Sequence, residues 1–232
     1  STSRGLGDVY KRQHQDPPDD DDQGAYLQTA QEIHSAGGLP VLWKDLWTGR
    51  FTEANRHPLT LAILSVSPTI EFGRLAACVT STILLGSVVY YAWKKFGQLQ
   101  AGLLSILLAT NGAWLFHSPR LVCECLLTGI SGLTWFQLIR LPNSPRYRLL
   151  GVGGLIGLAW LTKGTGLLLL YSVLLTELLA LAAWREKNRS QQVICLLVGF
   201  IFVASPLLAR NIQRFGSPTY NVNSYLLWVD AY

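Results

Sequence analysis

The sequence predicts an all-α protein: a polytopic transmembrane helix bundle with an amphipathic helical loop on its outer face. Three observations predict it. Of 232 residues, 50% are hydrophobic and only 14% are charged, against about 25% charged in ordinary soluble domains. The charge is uneven, with 17 charged side chains in residues 1–74 and 16 in the much longer stretch 75–232. Three runs in that second stretch are 18 residues or longer without a charge, and about 20 apolar residues cross a bilayer. This balance excludes a disordered chain, a disulfide-stapled secreted domain and an ordinary soluble enzyme.

The chain contains no Met, which predicts a fragment or an artificial start. Asp8-Val9-Tyr10-Lys11-Arg12-Gln13 resembles the read-through translation of a sequencing-library adapter, so residues 1–13 are expected to be non-native. Residues 14–74 read as the first outer, periplasmic loop with interfacial helices. Within it, 24–36 is expected to be an amphipathic helix. Its stripe of Tyr26, Leu27, Ala30 and Ile33 is expected to lie on the bilayer surface. Asp22 precedes it, where a carboxylate favours a helix N-terminus, and Gly37-Gly38 with Pro40 stops it. The Trp43 to Trp47 stretch suits the membrane interface, and 58–68 is too short to span and reads as a second interfacial helix.

Six spans follow, near 75–92, 97–117, 121–139, 148–162, 164–184 and 191–209, and residues 210–232 begin a further outer loop. Sidedness comes from the basic residues. The loops at 93–96, 140–148 and 185–189 hold Lys94, Lys95, Arg140, Arg146, Arg148, Arg185, Lys187 and Arg189. The alternate loops hold only Arg120 and Lys163. The richly basic loops are therefore expected in the cytoplasm. An even number of spans then puts both 14–74 and 210–232 outside, which implies a further helix before residue 14.

Several polar residues sit where charge is costly. Lys163, in Thr162-Lys163-Gly164-Thr165, lacks the residue order of a phosphate loop. It lies between two apolar runs, where it either snorkels to the headgroups or binds an anionic lipid phosphate. Glu124 opens a span; an ionisable residue there is a functional candidate, with an i, i+4 pair to Arg120 as the alternative. Glu177 lies deeper and reads as a helix-packing or partner-bound residue outside the site. His57 precedes Pro58, and Arg210 opens Arg210-Asn211 at an outer helix end, where anion binding explains a basic residue. The acidic run Asp19–Asp22 fails as a calcium loop because the twelfth position is Ala30. Cys78, Cys123, Cys125 and Cys195 read as packing residues, and Gly153-x-x-x-Gly157 as close helix packing.

Taken in order, these residues resemble the GT-C glycosyltransferases, and within them the dolichyl-phosphate-mannose mannosyltransferase-like group, which includes aminoarabinose and lipopolysaccharide-core sugar transferases. The likeness covers about residues 14–220. An acidic residue four before a Tyr matches Asp22 and Tyr26. A His-Pro matches His57-Pro58, and the second outer loop's acidic residue falls on Glu124. Thr162-Lys163-Gly164 and Arg210-Asn211…Gly216-Ser217-Pro218 complete the set.

The resemblance implies inverting transfer of a sugar from a polyprenyl-phosphate donor to an acceptor hydroxyl, on the outer face of a bacterial inner membrane. Asp22 and Glu124 would be catalytic, with Asp22 the general base. Tyr26, His57, Lys163 and Arg210 would bind substrate. The implied partners are the lipid-linked donor, membrane lipids and a glycan, lipid or protein acceptor, with no nucleic acid; a divalent metal is left open. The competing expectation is a non-enzymatic membrane protein, either a transporter or a lipid-handling subunit.

Overall fold

The computed structural model describes residues 22–118, 120, 123–139, 147–184 and 189–220, with helices throughout and no strand among the described residues. The expectations for residues 1–13, for Asp19 to Asp21, and for the basic loop residues Arg140, Arg146, Arg185 and Lys187 lie outside them. The helices in chain order are α1 (Asp22–Ser35), α2 (Leu39–Trp47), α3 (Pro58–Leu64), α4 (Ile70–Phe96), α5 (Gln98–Ala109), α6 (Gly112–His117), α7 (Glu124–Ile139), α8 (Tyr147–Thr162), α9 (Leu167–Trp184) and α10 (Arg189–Phe215).

Two of these are long and apolar enough to cross a membrane, Ile70–Phe96 and Ser190–Phe215. The other expected spans are shorter. The run 97–117 is broken at Thr110, because Asn111 caps a new helix by accepting the Trp114 amide at 2.9 Å. The first expected span becomes the 27-residue α4, started by the Thr69 hydroxyl accepting from Phe72. The last also runs longer than 191–209: α10 carries Pro206 inside it and continues past Arg210 to Phe215.

The helices pack in a row, α5 on α4, α4 on α7, α7 on α8 and α8 on α10, with α9 against both α8 and α10. Leu149, Val152, Ile156, Trp160, Leu196 and Phe200 form the core between α8 and α10. Glycine makes that contact possible. A Cβ at Gly153 would fall 2.0 Å from the Leu196 carbonyl oxygen, and one at Gly199 2.0 Å from that of Leu150. The close packing expected at Gly153 and Gly157 is therefore present, with α10 as the partner.

A second core lies at one end of the bundle. There Tyr26, Ala30, Ile33, Leu42, Leu46, Phe51, Leu61, Leu64 and Cys123 are buried together. This corrects the reading of α1 as a surface-lying helix. Its predicted stripe is buried against α3 and Cys123 instead of facing lipid, and Ala30 is wholly inaccessible. In the stretch 58–68, α3 is a seven-residue helix with Leu61 and Leu64 buried. The His34 Nδ1 meets the Ser65 carbonyl oxygen at 2.8 Å and ties α1 to the end of α3.

Candidate functional site

Glu124 is the first residue of α7, where the helix dipole favours a carboxylate. Lys163 immediately follows α8, whose last turn ends with the Lys163 amide donating to the Ala159 carbonyl at 3.0 Å. The chain then tightens into a 3₁₀ turn, Gly164–Gly166. Gly166 returns so close to α8 that a Cβ there would sit 2.3 Å from the Ala159 carbonyl carbon. This fold-back holds Lys163 extended, at φ −157 and ψ 146, and sends its ammonium out toward α7. Its Nζ donates to Glu124 Oε1 at 2.7 Å, across 39 residues of sequence.

The side chains are 40% and 39% exposed, so the pair contributes only about 0–1 kcal/mol to folding. Exposure also leaves both groups open to a ligand. The Lys163 ammonium therefore rests on a carboxylate rather than reaching freely for a headgroup.

Behind the pair, the buried Cys123 thiol donates to Glu124 Oε2 at 3.7 Å. The same thiol hydrogen-bonds with Tyr26. Cys123 is thus a buried packing thiol, as its sequence context suggested, and it couples Tyr26 on α1 to Glu124 on α7.

His57 caps the N-terminus of α3 in an extended conformation, with Pro58 supplying the first helical position. It is 9% exposed. Its pKa falls from 6.5 to about 4, chiefly because burial disfavours the charged ring. A backbone hydrogen bond at Trp160, near the end of α8, acts the other way, while the charges of Arg210 and Lys163 depress it further. Nδ1 is buried without a hydrogen-bond partner. His57 is therefore a neutral imidazole packed between α3 and α8, close to two cations.

Arg210, 2% exposed, donates from Nη1 to Asn211 Oδ1 at 2.7 Å and from Nη2 to the Glu53 carbonyl oxygen. Its guanidinium lies 5.5 Å from the Phe51 ring centroid and 5.1 Å from that of Phe215. Asn211 donates in turn to the Pro218 carbonyl at 2.9 Å, which joins the two ends of the Arg210-Asn211…Gly216-Ser217-Pro218 segment. In this conformation Arg210 braces the 51–57 loop against α10, and it reaches a ligand only if that loop opens.

Asp22 is the first residue of α1, one helical turn before the buried Tyr26, and its side chain lies outside the described part of the structure. Tyr26, His57, Glu124, Lys163 and Arg210 come together at one end of the bundle, linked through Cys123, Trp160 and Glu53. A cavity of about 40 Å³ lies among Thr60, Ser81, Arg120 and Cys125, and none of those five residues lines it. Among the described residues no three His, Cys, Asp or Glu side chains form a metal-holding group.

Sequence reasoning missed Phe51, the Glu53 carbonyl and the Trp160 backbone. Two of these act through the main chain, which leaves no residue-type signal. Phe51 had one, a lone aromatic in a polar loop. No family model, curated protein or solved structure matches the chain.

Proposed function

We propose that this protein is an integral-membrane glycosyltransferase of GT-C type, transferring a sugar from a polyprenyl-phosphate donor to an acceptor hydroxyl on the outer face of a bacterial inner membrane. The observation that carries the reading is the solvent-open Lys163–Glu124 pair, 2.7 Å apart, with His57 and Arg210 near enough to couple electrically. Two chain segments 39 residues apart bring Glu124 and Lys163 together, and a pair so exposed gives folding little reason to assemble it. Transfer chemistry does, because base, sugar and leaving phosphate must lie within a few ångströms.

In the proposed reaction the acceptor oxygen attacks the anomeric carbon, and its proton passes to the Asp22 carboxylate. The bond from that carbon to the phosphate oxygen breaks, and its electron pair leaves with the lipid phosphate. Lys163 exchanges its Glu124 partner for the developing phosphate charge, while the freed Glu124 accepts hydrogen bonds from sugar hydroxyls. Tyr26 and His57, both buried, are proposed to support the substrate site from within, His57 as a neutral group. Arg210 holds the loop carrying His57 and meets phosphate only on loop opening.

The bundle is proposed to be polytopic, with six crossings. The 16-residue α7 and α8 are about 24 Å long against a hydrocarbon core of about 30 Å. A transporter would place its ionisable groups and broken helices near the bilayer midplane, whereas Glu124 and Lys163 sit at helix ends. The test is Asp22→Asn and Glu124→Gln in the full-length protein, assayed for sugar transfer from a polyprenyl-phosphate donor. Both should lose turnover by about 100-fold or more. Wild-type turnover in a normally inserted Asp22→Asn variant removes Asp22 as the base.

A further inference from the structure

At the opposite end of α4 from the polar cluster, a groove of about 440 Å³ opens between α4 and α5. It is lined by Gly86, Val89, Tyr90, Trp93, Ala101 and Gly102, with Gln98 and Ser105 on the α5 side. Its floor is formed by glycine. A Cβ added at Gly86 or Gly102 would meet no atom within 4 Å, in contrast to Gly153 and Gly199, where helix packing forbids one. These two glycines therefore serve no close contact between helices. They keep an apolar trough open on a helix pair whose outward side chains, Ile83, Leu99, Leu103 and Ile106, are all exposed.

The rim of the trough is cationic. α4 ends with Lys94 and Lys95 in its last turn, both exposed. Lys94 Nζ lies 4.6 Å from the Trp93 ring centroid and 5.7 Å from that of Tyr90, so it stands over the two aromatics that wall the groove. Those rings pack edge to face, 6.0 Å apart. An aromatic belt with lysines beside it is the pattern of a membrane–water boundary, and clustered lysines there attract anionic headgroups.

We propose that this trough is a binding site for an anionic phospholipid, one acyl chain lying over Gly86 and Gly102 and the headgroup phosphate meeting Lys94 and Lys95. Charge complementarity selects the occupant. A helix from a partner would fit the apolar trough but leave two ammonium groups unanswered, whereas a phospholipid answers both parts. The site lies at the other end of α4 from Glu124 and Lys163 and stands without the transferase reading; it requires only that α4 lie in the bilayer.

The experiment uses the full chain purified in a mild detergent and titrated with phosphatidylglycerol, phosphatidylcholine or inorganic phosphate. Thermal unfolding and native mass spectrometry of bound lipid are the readouts. Phosphatidylglycerol should bind and raise the unfolding temperature, phosphatidylcholine should do so about tenfold more weakly, and inorganic phosphate should have no effect. Lys94→Gln with Lys95→Gln should remove the preference for phosphatidylglycerol. Gly86→Leu with Gly102→Leu should displace the lipid of either headgroup, without loss of fold, because leucine is the better helix former and the space ahead of both positions is empty. Equal binding of the two lipids, stabilisation by phosphate alone, or unchanged lipid binding in the double-leucine variant would each overturn the proposal.

Discussion

Acid should destabilise this protein through His57. Its pKa in the folded chain is about 4 against an ordinary 6.5, with burial the main cause. A group whose folded pKa is depressed contributes stability in full above its unfolded pKa. That contribution is lost as pH falls toward the folded value. The window is therefore from 6.5 down to about 4. The whole shift corresponds to about 3 kcal/mol, at roughly 1.4 kcal/mol per unit. Between about pH 7.5 and about pH 5 the loss is about 2 kcal/mol, or roughly 4–8 °C in unfolding temperature for a chain of this size.

Carboxylates also contribute to acid lability, so the comparison is with His57→Gln, which keeps an amide able to hydrogen-bond and cannot titrate. Thermal unfolding in detergent across this range should show the wild type losing about 4–8 °C more than the variant. Parallel curves for the two proteins would refute the assignment of a buried neutral imidazole.

Three further outcomes follow from the geometry. Gly153→Ala should destabilise by about 3 kcal/mol or more, read as lost folded yield, because its Cβ would meet the Leu196 carbonyl at 2.0 Å. Arg210→Met should cost about 2–4 kcal/mol and speed amide exchange across residues 51–57, since the Glu53 carbonyl and Asn211 lose their donor. Glu124→Gln should change stability by under about 1 kcal/mol, so that any loss of turnover reports on chemistry and not on folding.

Helical character was legible because long uncharged runs leave few alternatives. Helix ends were less so. Counting charges treats residues 96–119 as one run, yet Thr110-Asn111-Gly112 carries a capping residue that breaks it. The amphipathic stripe of α1 was visible in the sequence, but periodicity says only that a face is apolar. It does not say whether lipid or protein covers it, and here α3 and Cys123 do. Glu124 and Lys163 could be singled out because a charge beside an apolar run is costly. Their pairing could not, since it depends on Gly166 folding back onto Ala159. The burial of Arg210 was hidden for a similar reason: its partner is a main-chain carbonyl 157 residues away.

The most direct test of the account is single-turnover sugar transfer by the purified full-length protein, supplied with a polyprenyl-phosphate sugar, comparing wild type with Glu124→Gln and Lys163→Gln. The account predicts transfer by the wild type with inversion at the anomeric carbon. It predicts a drop of about 100-fold or more in each variant, with unfolding temperatures near the wild-type value. Absence of transfer by the wild type across polyprenyl-phosphate sugars, or full turnover in both variants, would contradict it.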